Sequence, residues 1–553
     1  MDARPLEGGG GRARSSRDLA ALWARLARAN AFPGDPSAAQ GVERIQTHLS
    51  HVYLTAQRVY KFRKRVDLGF VRFVSLAERT ADCVREVELN RRLAPDVYLG
   101  LAPLVGSPAY PRVGPLVQFP EAAAREHCVV MRRLPEGRDA LSLLEAGELD
   151  AEKLDLLAAR IARFHAAHAL GVPAPFSRET WLARCTQPAE ECLQQLAAAG
   201  RDLAPPDMLA LARDRMHAFA AQHADRFERR RCEGRAVDAH GDLHLQHVWY
   251  EREGEEPIAI DCLEFSDELR KIDVAAEVAF LAMDLTYRGA AGLAERFLRS
   301  YARESDDFDL YSVVDYFIAY RAAVRAKVAA IAAGDPAIDP AQRAAAQGSA
   351  CRHLELASAA LVPSTRPVLV LVGGMVGTGK SSVAAELADR LDGVVIASDR
   401  VRKRLAGVAP TARVGGAWQS GAYTAEHSDR TYAGLLERAQ PVLASGRVAI
   451  LDATFGRRAR REAAVQLAGK LGVPVKFVEV RCAADLVRER LARRAAAGTD
   501  PSDAGPEHQA ASARDFERTV EWPEHRRAVI HTDVQNWRSS LPGFAAWVRC
   551  LSH

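Results

Sequence analysis

VLVLVGGMVGTGKSSV, residues 368–383, passes from a β-rich apolar run into a glycine-rich turn and then into a helical pattern. The run ends at Gly373-Gly374, and the spacing G-x-x-x-x-G-K-S follows from Gly374 through Gly379, Lys380 and Ser381. Behind it Val383, Leu387 and Leu391 recur on one helical face. Strand, curled loop and helix in that order predict a phosphate-binding loop made of Gly374, Met375, Val376, Gly377, Thr378, Gly379, Lys380, Ser381 and Ser382. The glycines let backbone N–H groups converge on phosphate oxygens, and the helix N-terminus adds partial positive charge there. Lys380 reaches the β- and γ-phosphates, and the Ser381 hydroxyl ligates Mg²⁺. A chance glycine-rich turn would lack these flanks. The stretch predicts binding of ATP or GTP with Mg²⁺.

Outward from this loop the pattern is β-α-β-α. Strand candidates are VLVLV (368–372), GVVIASD (393–399), RVAILDAT (447–454), PVKFVEVRC (474–482) and RAVIHTD (527–533), each followed by helical sequence. The alternation predicts a parallel sheet covered on both faces. Ligands of such sheets sit beyond the carboxyl ends of the strands, where Asp399, Asp452 and Asp533 fall. A kinase needs one carboxylate to take the acceptor hydroxyl proton and another to organise Mg²⁺. Asp399 suits the first role and Asp452 the second; a helix N-cap is the bland alternative for each. Arg402 shares a helical face with Asp399 and suits an anionic acceptor. Arg490, Arg493 and Arg494 recur at helical spacing before the loop AAAGTDPSDAGPE, the pattern of a lid that carries guanidinium groups toward the phosphates.

The segments GGMVGTGKS, SDRVRKRL, AILDATF and RERLARR…SDA together resemble the small P-loop kinases of the AAA_33 type, which include polynucleotide 5′-kinase domains and zeta-toxin-like kinases, over about residues 365–535. The resemblance implies Asp399 as the base and Arg402 as the contact to an acceptor phosphate.

Upstream, residues 240–247 read HGDLHLQH, and Asp261 follows at the end of PIAID. A catalytic loop and a metal-binding Asp separated by a hairpin fit a phosphotransfer site. Asp242 would orient and deprotonate an acceptor hydroxyl, and Asp261 would hold Mg²⁺ against the ATP phosphates. Lys61 lies in the strand pattern RVYKFRK, followed by helix-borne Glu86, a pair suited to fixing the α- and β-phosphates. HCVVMRRL (127–134) suits the hinge that receives adenine. The ordered set resembles the aminoglycoside phosphotransferase-like (choline/fructosamine kinase-like) fold over about 40–335. THLSHVYLT, VYKFRK, ELNRRLAPDVYLG, HGDLHLQHV and IDCLEFSDELRKIDVAAEVAFLAMDL are similar to stretches of a bacterial family joining that fold to a P-loop domain, the bifunctional aminoglycoside phosphotransferase/ATP-binding proteins. Where that family's loop carries an Asn ligand for Mg²⁺, this chain has His247. Imidazole suits Mn²⁺ better than hard Mg²⁺. No glycine-rich phosphate loop appears between 43 and 58, which leaves Ser50 and backbone amides. Glu264, Asp273 and Glu277 read as structural partners for Arg270 and the catalytic loop. His244 reads as a packed or capping residue, and His165 as a buried histidine on an amphipathic helix.

At 553 residues the chain exceeds one core. The predicted class is an α+β kinase-like domain followed by an α/β P-loop domain: 1–40 a flexible lead-in with a short helix at 18–31, 41–361 the first domain, 362–367 a Pro-bounded linker, 368–553 the second. Before the linker, strands are expected in 43–75 (IQTHLSHVYLT, RVYKFRK, GFVRFVS), at 127–134, at 247–251 and at 257–265. Helices are expected at 78–94, over 150–230 and to about 361. A net charge of +4 gives no case for a general nucleic-acid binder. No apolar run reaches membrane-spanning length, and the basic N-terminus lacks an apolar signal core. Nine scattered cysteines without a C-x-x-C pair predict reduced thiols and a cytoplasmic protein. The function these features imply is ATP-dependent phosphotransfer to a hydroxyl of a small molecule, sugar or nucleotide. The alternatives are an N-terminal pseudokinase that regulates the P-loop domain, and a nucleic-acid 5′-end kinase.

Overall fold

Alternation along RVYKFR fixes the first unit. In β3 (Arg58–Arg63) a period of two sends Tyr60 and Phe62 to one face and Lys61 and Arg63 to the other. The computed structural model describes residues 21–67, 71–200, 204–363, 365–408, 424–497 and 516–550, without the side chains of 494–497. These form two compact units. One contains the chain up to Arg160 with Phe164–Gly171 and Ala236–Ile272; the other contains Ile161–Arg163, Val172–Arg235 and Asp273 onward. The expected linker at 362–367 therefore falls inside the second unit.

The first unit carries a six-stranded antiparallel sheet of β1 (Glu43–Gln46), β2 (Ser50–Leu54), β3, β4 (Tyr98–Ser107), β5 (Tyr110–Val113) and β6 (Glu126–Arg132), in the order β1-β2-β3-β6-β4-β5. Tyr53, Tyr60, Phe62, Cys128 and Val130 pack with Leu26 and Phe32 on one face. Cys83 and Val87 of the helix Leu76–Asn90 pack with Tyr98, Leu101 and Val129 on the other. That helix opens with a Ser75–Glu78 capping box. The hairpin β4–β5 escaped sequence reading, because Gly100, Pro103 and Gly106 interrupt its alternation. The strand expected at GFVRFVS is not extended pairing among the described residues: 71–75 make a single bridge, Asp67 with Arg72, and Val71 and Phe73 are buried without a ladder. Residues 236–273 add the short strands β7 (Ala236–Asp238), β8 (Val248–Trp249), β9 (Ile258–Ala259) and β10 (Lys271–Asp273), with β8 antiparallel to β9.

In the second unit, helices of 178–232 and 274–359 precede a five-stranded sheet. Its strands are β11 (Leu369–Gly373), β12 (Val394–Ala397), β13 (Ala449–Asp452), β14 (Val475–Arg481) and β15 (Arg527–His531). The order is β12-β13-β11-β14-β15, and every pair is parallel. β11 is buried at every residue, as a strand covered on both faces must be. Val383, Leu387 and Leu391 of the helix Lys380–Leu391 join its core. The lead-in 1–20 and the loop 498–515 lie outside the described residues.

Two buried histidines give the fold an acid limit. His51 stacks on Trp23 at 4.5 Å, and burial, with Lys64 and Arg44 nearby, pushes it down to about 4. His353 stacks on Tyr287 at 3.7 Å and is likewise pushed down to about 4 by burial. Both folded values lie below the unfolded value of about 6.5, so the unfolded chain binds more protons between them. Their contribution is complete above pH 6.5 and falls as pH drops toward 4, by about 3 kcal/mol each. Urea midpoints measured from pH 7.5 to 4 should fall accordingly, and His353→Phe should remove its share of the slope. A flat profile would contradict this.

Candidate functional site

The phosphate loop lies where the parallel register brings strand ends together. Val372 of β11 and Ala397 of β12 are both level with Asp452, the last residue of β13. The loop after β11, Asp452 and the helix Ser398–Leu405 with Asp399 therefore share one sheet edge. Gly374, Gly377 and Gly379 all have positive φ, at 145°, 80° and 91°. A Cβ on Gly374 would lie 2.3 Å from the Val480 carbonyl oxygen, and one on Gly377 would lie 2.8 Å from Val487. Only glycine allows this curl at these positions. Thr378 is buried and donates to the Met375 carbonyl at 2.8 Å, while Thr532 donates to the Thr378 carbonyl at 2.7 Å. Lys380 opens the helix and its Nζ donates to the Met375 carbonyl at 2.9 Å. Met375 and Val376 are half-buried; Ser381 and Ser382 are exposed on the first helical turn.

Asp452 is buried at the strand end. The turn behind it is held by partners that sequence reading missed. The Gly374 N–H donates to the Thr454 carbonyl at 3.0 Å, and the Tyr432 hydroxyl pairs with Thr454 Oγ1 at 2.9 Å. Phe455 stands at φ 48°; its N–H donates to Tyr432 and its carbonyl accepts from fully buried Arg461. Asp399 lies one helical turn from Arg402, which donates to it at 3.0 Å. Arg400 donates to the Arg303 carbonyl and to Glu304, which braces this helix.

Asp533, the third strand-end acid, caps the chain instead by accepting from the Ala483 N–H at 3.1 Å. Arg490 of the helix Ala484–Ala497 donates to Thr532 Oγ1 at 3.0 Å and to the Thr532 carbonyl at 2.9 Å. Its guanidinium lies 3.5 Å from a Cβ placed on Gly379. It is anchored beside the loop, whereas Arg493 pairs with Glu489 on its own helix. The side chain of Arg494 lies outside the described residues. Gly377, Gly379, Arg490, Arg493, Trp537 and Arg538 line a cavity of about 360 Å³. Trp537 and Arg538 belong to a 3₁₀ turn with no periodic signature, which hid them in the sequence.

In the first unit the ordered set comes together. Lys61 Nζ donates to Glu86 at 2.9 Å and to Asp261 at 2.8 Å. Burial works against the Lys61 ammonium, but Asp261 and Glu86 outweigh it and raise its pKa well above the usual range. The Lys61 charge in turn holds the Asp261 carboxyl well below the usual carboxylate range. Asp261 sits at φ 61°, and its N–H donates to the Tyr98 hydroxyl.

Arg63, two residues along β3, is the unanticipated centre of the unit. It donates to Asp82 at 2.5 Å, Glu86 at 2.7 Å, Glu264 at 2.5 Å and Ser50 Oγ at 3.1 Å. Ser50 is therefore buried against Arg63 and does not serve as a phosphate-loop hydroxyl. Glu264 pairs with Arg63 rather than Arg270, whose carboxylate partners are Asp238 and Asp267. Asp273 pairs with Arg230. Arg63 engages both turns of the neighbouring helix because Asp82 and Glu86 stand four apart on one face.

Asp242 is partly exposed, with His244 and His247 beside it. His247 Nε2 faces Asp261 Oδ2 at 3.6 Å and its Nδ1 lies 3.5 Å from Asp242 Oδ2. His165 is buried as expected. The donors fit the two sites differently. Ser381 and Asp452 offer oxygen alone, which suits Mg²⁺. The turn Asp242–His247 adds imidazole, which does not. All nine cysteines are free thiols, and no helix of the described residues is long and apolar enough to cross a membrane.

Residues 369–519 match the AAA domain family AAA_33. The uncharacterized protein Rv2004c of Mycobacterium tuberculosis is 34% identical over 500 residues, covering 90% of this chain and 95% of that protein, and a Mycobacterium bovis protein matches equally. Among solved structures, a choline/ethanolamine kinase family protein from Mesorhizobium loti is 15% identical, over 62% of this chain and 99% of that one, at a TM-score of 0.37. A sugar kinase from Janibacter sp. is 17% identical, over 33% and 94%, at a TM-score of 0.26. The chain belongs to the family of these mycobacterial proteins and carries its AAA_33 P-loop domain in the C-terminal part.

Proposed function

We propose that the chain is an ATP-dependent phosphotransferase whose transferring catalyst is the P-loop part. The observation that carries this is the glycine loop opening onto Lys380 at the sheet edge that also holds Asp452 and Asp399. The loop amides and Lys380 cradle the β- and γ-phosphates. Ser381 and Asp452 hold Mg²⁺, whose contribution is charge neutralisation on those phosphates. Asp399 would accept the proton of the acceptor hydroxyl as that oxygen attacks the γ-phosphorus, while the bond from the γ-phosphorus to the bridging oxygen breaks and ADP leaves. Arg402 exchanges its Asp399 contact for an anionic group of the acceptor, a small molecule, sugar or nucleotide. Arg490 flanks the loop from the cavity side, and Arg494 follows it one turn later. We place the parts as 41–361 and 368–553, joined at 362–367, in a cytoplasmic protein.

The purine belongs in the cavity beside Gly379, against Trp537. Base–aromatic stacking is worth about 1–3 kcal/mol, so Trp537→Ala should weaken ATP binding about tenfold or more by calorimetry. Unchanged affinity would remove the base from this cavity.

Lys61, Glu86, Asp242 and Asp261 form a second phosphotransfer set for a small-molecule hydroxyl. A specific observation favours the pseudokinase alternative for this part: His247 lies between Asp242 and Asp261. The balanced charge lends the 5′-end kinase reading no support. The deciding experiment is a γ-labelled ATP transfer screen against cell metabolites with wild type, Asp242→Asn and Asp399→Asn. The reading expects label transfer to the acceptor of the P-loop part to vanish in Asp399→Asn and to persist in Asp242→Asn. Persistence there with loss in Asp242→Asn would move catalysis to the first unit.

A further inference from the structure

Within the second unit, the helix Ala291–Ser305 carries two faces of opposite character. Ala294, Phe297, Leu298, Tyr301 and Ala302 are buried, and the helix packs on its neighbour Val274–Tyr287. Glu295, Arg296 and Arg299 recur on the other side, a polar stripe that sequence alone would assign to solvent. Each meets the sheet part instead. Arg447, in the lead into β13, forks onto Glu295 at 2.8 and 2.9 Å. Arg296 and Arg299 both reach Asp389, near the C-terminal end of the phosphate-loop helix, and Arg299 also donates to the Ala388 carbonyl at 2.7 Å.

The last turn of a helix leaves carbonyls that the helix itself cannot satisfy, and its dipole favours cations there. Here the cations come from the helix that bears Asp399. Arg400 donates to the Arg303 carbonyl at 2.9 Å and to Glu304 at 3.0 Å. Arg404 donates to the Ser305 carbonyl at 2.9 Å and to Asp306 at 3.4 Å. Asp306 closes the helix in the left-handed region, at φ 56°, and also takes Arg438 at 2.6 and 2.8 Å. Arg400 and Arg404 stand four apart on one face of Ser398–Leu405. Val401 and Leu405 form a second face against Gly434, where an added Cβ would lie 3.1 Å from Val401 and 3.9 Å from Leu405. At about 100° per residue, Asp399 and Arg402 fall on the third.

We propose that the end of the helix Ala291–Ser305 positions the acceptor side of the phosphotransfer site, with Glu304 and Asp306 as positioning residues that hold Asp399 and Arg402 in place through Arg400 and Arg404. The proposal rests on the reading of Asp399 as the acceptor base. It makes catalysis by the P-loop part depend on a helix that precedes residue 362. Glu304 is 28% and Asp306 20% exposed, and such ion pairs add little to stability. A misplacement of about 1 Å at a reacting group, in contrast, costs about 10²-fold in rate. The brace should therefore be felt in transfer and not in global stability.

The test uses the full-length double variant Glu304→Gln/Asp306→Asn. Asn tolerates the left-handed backbone at 306, so charge is removed without strain. Amide hydrogen exchange over 398–405 should quicken at least tenfold, with β11 and the helix Lys380–Leu391 within twofold of wild type and the urea midpoint unmoved. With γ-labelled ATP and a small-molecule cell extract, kcat for the product whose labelling Asp399→Asn abolishes should fall at least tenfold, while KM for ATP stays within twofold. Arg400→Gln/Arg404→Gln should reproduce both effects from the other side, and carries the test if the first variant unfolds. Combining the four substitutions should lose no more than either pair, the mark of a shared contact. Unchanged exchange over 398–405, unchanged transfer, or faster exchange throughout the sheet with a lowered midpoint would overturn the proposal. A wild type that labels no product through Asp399 would overturn the phosphotransfer reading itself and the positioning role with it, so the two failures are told apart by the wild-type lane.

Discussion

Lys380→Ala should lower kcat/KM for ATP-dependent transfer by about 10²–10³-fold, the scale seen when one preorganised charge donor leaves a transition state. Lys380 Nζ already hangs over the loop, bonded to the Met375 carbonyl at 2.9 Å, so little reorganisation separates it from a phosphate oxygen. The loop itself is shaped by glycine geometry and by Thr378 and Thr532, none of which needs the ammonium. The variant should therefore fold with an unchanged urea midpoint. Lys380→Arg should fail to rescue, because a planar guanidinium does not replace a compact ammonium in so tight a cradle. Steady-state turnover with labelled ATP checks the two activity statements and urea unfolding the third; retention of full activity in Lys380→Ala would contradict the account.

Arg63→Met should cost the fold about 3–5 kcal/mol, the usual penalty for leaving a buried charge without its partner. The Arg63 side chain is 2% exposed and answers Asp82, Glu86 and Glu264 together. Without it, three carboxylates remain in one buried pocket with Lys61 as their cation. Burial already raises the Glu264 carboxyl, and removal of Arg63 should push it further up. Glu264 would then be stabilised by protonation, so the variant's deficit should be larger at pH 8 than at pH 5. Arg63→Lys should recover part of the loss, since one ammonium cannot fork to three acids. Urea midpoints at the two pH values provide the check; a midpoint unmoved by Arg63→Met would show that the hub contributes nothing.

The elements that sequence made legible are those with a clean period. RVYKFR alternates by two and delivers Lys61 to Glu86, the expected pair, while its contact with Asp261 was not foreseen. The five C-terminal apolar runs formed a parallel sheet, and Asp452 ended its strand where the phosphate loop begins. What stayed hidden depends on contacts between distant segments. An Arg on a strand reads as solvated, and nothing local announces that Arg63 meets acids from a helix and from residue 264. Asp533 falls at a strand end like Asp399 and Asp452, and its carboxylate accepts from a backbone N–H, the capping role that such a position supports equally well. Trp537 and Arg538 lie on an irregular turn, and only folding brings them to Gly379.

The most direct measurement is a calorimetric comparison of ATP, ADP and AMP, with Mg²⁺, on wild type and Lys380→Ala. If loop amides and one ammonium grip the phosphate tail, wild type binds ATP and ADP far more tightly than AMP, and Lys380→Ala narrows that gap at least tenfold. Equal affinity for the three nucleotides, or a gap untouched by Lys380→Ala, would contradict the account.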